Sequence, residues 1–142
     1  MKPAVVRFYF DADIQGVAKL LAQVRSDLTY PGDPGGVIHK RVRPACPVTD
    51  PAMDDDVWIP IVTAQNQIIV TRDHRIREHR AEIAAIRDAG ARMVVLSGGD
   101  AEGTWDQLEV IVRRWRAIER LCDEPGPFIR LATRSGLTPL AL

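Results

Sequence analysis

Hydrophobic positions alternate between two periods along the chain. Residues 4–10, AVVRFYF, concentrate β-branched and aromatic side chains and predict a strand ending at Asp11. Ile14, Val17, Leu20, Leu21 and Val24 then recur at three-to-four spacing, the mark of one apolar face of a helix over 14–26. A short strand is predicted near Leu28–Tyr30. Asp54, Asp55 and Asp56 precede the apolar segment Val57–Val62, and acids favour the positive end of a helix dipole. That helix should end near Asn66, with Pro60 in its first turn, where a missing N–H is not needed. Gln67–Thr71 (QIIVT) and Arg92–Leu96 (RMVVL) read as buried strands, and Arg77–Ala89 as a helix stopped by Gly90. Residues 102–122 predict the longest helix, with Trp105, Leu108, Ile111, Val112, Trp115, Ile118 and Leu121 on one stripe. Trp58, Trp105 and Trp115 are accordingly assigned to the core, not to base-stacking platforms. The tail, 125–142, is punctuated by proline and glycine and is expected to add an edge strand around Phe128–Leu131.

Strands alternating with helices imply an α/β fold with a mainly parallel sheet covered on both faces. Residues 31–51 interrupt the pattern: five of the ten prolines and three of the ten glycines fall there, predicting a long irregular excursion. It carries the basic run His39-Lys40-Arg41-Val42-Arg43. The length, 142 residues, suits a single domain over 1–142. Apolar residues at 46% and charged residues at 27% exclude disorder, collagen and coiled coil. No apolar run approaches the roughly 18 residues of a membrane span, and the first residues lack a signal-peptide pattern, so a soluble, cytoplasmic protein with no membrane association is expected. Net charge is zero, unlike that of a strongly basic nucleic-acid binder. Arginine nevertheless outnumbers lysine 16 to 3. Guanidinium forks suit phosphate recognition, although a GC-rich genome would produce the same bias. Cys46 and Cys122 are far apart and form no ligand-spaced motif, as in a reducing compartment.

Sites in open parallel sheets form outside the carboxyl ends of the strands, so the residues that follow each strand matter most. Asp11 and Asp13 follow the first strand; Arg72, Asp73 and Arg75 follow QIIVT; the Asp54–Asp56 run opens a crossover helix. At least three carboxylates, Asp11, Asp73 and one of Asp54–Asp56, are therefore expected in one small region. Carboxylates gathered this way need a counter-charge, and hard divalent cations such as magnesium prefer oxygen ligands. The chemistry implied is phosphoryl-ester hydrolysis. Each acid alone could equally serve as a helix cap or a solvated surface group. In residues 72–80, RDHRIREHR, Arg75 shares a helix face with His79, and Glu78 with Glu82, so the arginines could hold RNA phosphates or simply lace a surface helix. Arg72, Arg75, Lys40 and Arg41 are candidate RNA contacts, and His74 and His79 candidate substrate contacts. No phosphate-cradling P-loop, dinucleotide fingerprint or nucleophile elbow is present.

Four segments together, FYFDAD, DDDVWIP, IIVTRDHRI followed by AE, and GTWDQLEVIVRRWRAIERL, resemble the PIN-like toxin nucleases of bacterial toxin–antitoxin pairs. The resemblance is to a VapC-type branch common in actinobacteria and runs over about residues 6–122. It implies a three-layer α/β/α sandwich and a magnesium- or manganese-dependent endoribonuclease. Asp11, Asp55 and Asp73 fall at the family's catalytic and metal-ligating acids. Asp13 matches a second acid after the first strand, Asp56 is an alternative because the run permits a one-residue slip, and Glu82 could supply a further acid. The resemblance also implies a VapB-like antitoxin, an RNA substrate such as tRNA or rRNA, and a homodimer. Three rivals remain. Asp11-Ala12-Asp13 matches the Asp-x-Asp signature of haloacid-dehalogenase-like phosphatases, but the glycine–threonine pair and the later lysine expected there are missing. A receiver-like switch would also need a lysine after a later strand. A PIN-fold protein that binds RNA without cutting it would read the same.

Overall fold

The computed structural model describes residues 1–72 and 78–142. Its main sheet comprises, in chain order, β2 (Phe8–Phe10), β3 (Leu28–Thr29), β6 (Ile68–Arg72), β7 (Arg92–Leu96), β8 (Phe128–Ala132) and β9 (Leu137–Leu140). The spatial order is β3-β2-β6-β7-β8-β9. All neighbours run parallel except β8 and β9. The crossovers contain α1 (Gln15–Ala22), entered by a 3-10 turn over Ala12–Ile14, then α2 (Asp55–Ala64), α3 (Arg80–Ala89) and α4 (Thr104–Arg120).

Strands buried on both faces need apolar side chains at successive positions, and these have them. Phe8, Phe10, Ile68, Val70, Val94 and Leu96 pack on one side with Val17 and Leu21 of α1 and Ile111, Trp115 and Ile118 of α4. Tyr9, Ile69, Met93 and Val95 pack on the other with Trp58, Ile59 and Val62 of α2 and Ile86 of α3. The α/β sandwich with helices on both faces is therefore as the sequence predicts. Among the described residues no helix is long and apolar enough to cross a membrane.

Several expectations are corrected. The strand predicted over 4–10 is laddered in the main sheet only over Phe8–Phe10, while Lys2–Pro3 forms β1 in a separate small sheet. The 31–51 excursion is ordered: β4 (Gly36–Ile38) and β5 (Arg41–Arg43) form an antiparallel hairpin, and β1 joins β5 in parallel. His39 and Lys40 make its two-residue turn with φ of 49° and 64°, the paired positive values that match the twist of a tight hairpin. Behind it, Arg43 donates from Nε to Asp33 at 2.8 Å in a buried ion pair and reaches the carbonyl of Ala22 at 3.2 Å, tying the hairpin to α1. Pro60 sits in the second turn of α2, not the first. Residues 73–77, including the predicted start of α3 at Arg77, lie outside the described residues; the α-helix is described from Arg80 and ends at Gly90, left-handed with φ 68°. β8 is an interior strand; the edge is β9, on which Pro139 offers no N–H to a further strand. In α4, Trp105 is 71% exposed instead of buried. Gln107 takes a core position there, its side-chain amide donating to the Ala101 carbonyl at 3.1 Å.

Candidate functional site

β2 and β6 are parallel neighbours in the register Phe10↔Val70, so the residues that follow, Asp11 and Thr71, emerge side by side at the carboxyl end of the sheet. The Asp11 N–H donates to the Val70 carbonyl at 2.9 Å and holds the chain in line up to that point. The chain then turns into the 3-10 segment, with Asp11 as its cap: Oδ1 accepts from the Ala12 N–H at 2.7 Å. The turn brings Asp13 back over the strand end.

Both carboxylates converge on the Thr71 hydroxyl, which is almost fully buried. Thr71 Oγ1 lies 3.2 Å from Asp11 Oδ2, and 3.2 and 3.1 Å from the two oxygens of Asp13. Asp13 Oδ2 also accepts from the Arg72 N–H at 3.2 Å. A hydroxyl carries one proton, so it cannot donate to both acids at once. Among the described residues, no lysine or arginine forms an ion pair with Asp11 or Asp13.

Their electrostatics follow. Burial is the largest cause raising the Asp11 carboxyl above its usual range, opposed by the Ala12 and Thr71 hydrogen bonds and reinforced by the charge of Asp55. Asp13 is pushed up to about 7, again chiefly by burial, then by Asp11 and more weakly by Glu82, against the hydrogen bonds from Arg72 and Thr71. Tyr9, beneath the acids on the α2 side of the sheet, has its phenol raised by burial first and by Asp11 next. These influences place Asp55 within electrostatic reach of Asp11, and Glu82 within reach of Asp13.

Asp55 opens α2, and its Oδ1 accepts from the Trp58 indole N–H at 3.0 Å. Trp58 in turn packs on Tyr9 with ring centroids 5.1 Å apart. The carboxylate is thus fixed through the core to the strand that carries Asp11. Glu82 lies in the first turn of α3, with His79 Nδ1 3.5 Å from its Oε2. A groove of about 620 Å³ runs between α2 and α3, lined by Asp55, Asp56, Glu78, His79, Arg80 and Glu82 among others.

The predicted residues therefore divide. Asp11 and Asp13 are brought together, Asp55 and Glu82 act on them electrostatically, and Asp56 lies on the groove. Asp54 is the N-cap residue of α2 and makes no capping bond with its side chain. Asp73, His74 and Arg75 lie outside the described residues. Among the described residues no three acidic, histidine or cysteine side chains form a metal-holding group. Arg72 is at the rim, with its Nε buried and without a hydrogen-bond partner. Lys40 and Arg41 are not brought to the acids. Their hairpin is laddered to Lys2–Pro3, upstream of β2, whereas Asp11 follows the carboxyl end of that strand. The sequence does not mark Thr71 as a site residue. Its only signal was a hydroxyl in an otherwise apolar strand, one residue ahead of an arginine–aspartate pair.

Comparison with curated proteins finds no match, and comparison with solved structures finds none either. A family model described as "PIN like domain" matches residues 6–98, which run from just before β2, through Asp11, Asp13, Asp55, Thr71 and Glu82, to just past β7. With well over half of its length matched, and its acids gathered at the carboxyl end of a parallel sheet, the chain belongs to the PIN-like domain family.

Proposed function

We propose that the protein is a magnesium- or manganese-dependent endoribonuclease that hydrolyses phosphodiester bonds at the Asp11–Asp13 rim. The observation that carries this reading is the convergence of two carboxylates on a single buried hydroxyl with no cationic partner among the described residues. Membership of a family whose members are commonly nucleases supports it.

The donor set fits a hard divalent cation: carboxylate oxygens, one hydroxyl and no sulfur. Asp11 and Asp13 would hold the ion, completed by Asp55 and Asp73 as the resemblance implies, since the described residues alone bring no three such groups together. Such an ion supplies Lewis acidity toward a phosphate oxygen and toward water. The chain's own residues do the rest. Thr71 and the Arg72 N–H fix the carboxylate orientations, and Trp58 fixes Asp55. Arg72, at the end of β6, would be a candidate to meet a phosphate, with Arg75 as a second. Glu82 and Asp13 can accept a proton from water. The alternative phosphatase chemistry needs a lysine after a late strand. The chain's lysines fall instead on β1, α1 and the β4–β5 turn.

The resemblance to VapC-type toxins extends the proposal. A VapB-like antitoxin would be the partner, a structured RNA such as tRNA or rRNA the target, and a homodimer the working form in the cytoplasm. The test is cleavage of single-stranded RNA by the purified protein with magnesium or manganese. The expected result is metal-dependent cutting that is abolished in Asp11→Asn, with no turnover of a small phosphomonoester. Undiminished cutting by folded Asp11→Asn, or phosphomonoester turnover alone, overturns the reading.

A further inference from the structure

Trp105 stands apart from the other tryptophans. Trp58 and Trp115 are 4% and 8% exposed, whereas Trp105 is 71% exposed. Among the described residues no aromatic ring or guanidinium stacks on it, while Trp115 packs against Phe8 and carries Arg25 on its face. An indole left in water forgoes the burial free energy that usually places tryptophan in cores and interfaces.

Its position is specific. α4 leaves the carboxyl end of β7, so its first turn lies at the same rim of the sheet as Asp11 and Asp13. Thr104, one residue before the tryptophan, sits against Gly16: a Cβ built on Gly16 would lie 3.2 Å from Thr104 Oγ1. Gly16 is three residues beyond Asp13, in the first turn of α1. In a helix the Cα–Cβ bond leans toward the N-terminus, so a side chain in the first turn of α4 leans toward the rim, not down the helix. The groove between α2 and α3 lies on one face of the sheet, and α4, with Trp105 in its first turn, packs on the other. A strand with its phosphate at Asp11 and Asp13 would cross from that groove to the first turn of α4.

We infer that Trp105 is a stacking platform for an unpaired base of the nucleic-acid substrate, one that positions the strand across the Asp11–Asp13 rim. This rests on the nuclease reading for the class of substrate. A base offers a flat, neutral π-face that stacks on an indole whatever its identity, so the contribution is to affinity and to preference for single strands. A protein partner would draw on a broader apolar surface. The next exposed apolar residue on the same face of α4, Val112, is seven residues away, about 10 Å along the axis. Among the described residues the indole is the one exposed aromatic ring, sized for one base.

The experiment compares wild type, Trp105→Ala and Trp105→Phe. It measures KM and kcat for a single-stranded RNA oligonucleotide, tryptophan fluorescence on titration with that RNA in EDTA, and thermal melting. In Trp105→Ala, KM and Kd should rise roughly 5- to 150-fold, the range for loss of one base stack, with kcat within about two-fold and melting unchanged. Trp105→Phe should recover part of the loss. Duplex RNA should be much less affected, and the RNA-induced quenching should vanish only with the indole at 105. Equal KM and Kd in Trp105→Ala overturn the inference while leaving Asp11-dependent cleavage intact. Trp105-dependent RNA binding without any cleavage overturns the nuclease reading and leaves the platform standing. Unaltered RNA binding together with altered self-association assigns the indole to a protein interface and also overturns the inference.

Discussion

Two carboxylate sites in this chain, one buried and one at the rim of the sheet, are built in opposite ways. Asp33 is 2% exposed and fully provided for: it accepts from Arg43 Nε at 2.8 Å and Nη2 at 3.3 Å, from Thr29 Oγ1 at 2.9 Å and from the Gly35 N–H at 2.9 Å. Asp11 and Asp13 are held with comparable care by Ala12, Thr71 and the backbone of Arg72, yet among the described residues they meet one another's charge and that of Asp55 and pair with no guanidinium. A buried charge pair that ties a hairpin to a helix is architecture. Partly desolvated like charges at a strand end destabilise the fold unless a proton or a cation from solution neutralises them. The contrast is why the proposed cation belongs to the rim and not to the hairpin.

Substitutions at the two places should therefore fail differently. The largest expected effect is on activity: Asp11→Asn should lower RNA cleavage by about two to three orders of magnitude, the loss of several kcal/mol of charge stabilisation. Its urea-unfolding free energy without metal should not fall. Next comes stability: Arg43→Leu leaves Asp33 buried without its partner and should cost about 3–5 kcal/mol in urea unfolding. The folded fraction of that variant should still cut RNA at its normal rate. A smaller effect belongs to Thr71→Val, which keeps the shape but removes the shared hydroxyl; metal affinity or rate should fall about 10- to 100-fold.

The pH dependence of stability sharpens the same contrast. Asp13 is raised to about 7 in the folded protein, against roughly 3.9 when unfolded. Between those values the native state holds more protons than the unfolded one, so the metal-free protein should gain stability as pH falls from 8 toward 5. Saturating magnesium should flatten that slope, and so should Asp13→Asn, as followed by thermal melting across the range. A metal-free slope of the opposite sign would mean that these acids do have a counter-charge.

How much could be read in the letters differs by element. QIIVT and RMVVL were legible because strands covered on both faces must be apolar at every position. β8 reads as an edge in the sequence because Arg130 interrupts its apolar run and proline and glycine precede it; its neighbour β9 becomes the true edge only once the chain folds back. The β4–β5 hairpin escaped notice because His39 and Lys40 fill turn positions that usually advertise themselves as Asn-Gly. Trp105 was placed in the core because its spacing fits the stripe of α4. Gln107 took a buried place instead, made tolerable by the Ala101 carbonyl. At the rim, Asp11, Asp13 and Asp55 announced themselves as acids after a strand or before a helix. That Thr71 would join the first two could not be read, because it follows from the β2–β6 register, a long-range property.

The most direct test of the central claim is a calorimetric titration of manganese into the metal-free protein near pH 6.5, in buffers of different ionisation heat. A site built of carboxylates without a protein counter-charge should bind the ion and release protons from Asp13 as it does so, and both signals should disappear in Asp11→Asn/Asp13→Asn. Manganese binding of equal strength in that double variant, or none in the wild type, would contradict the account.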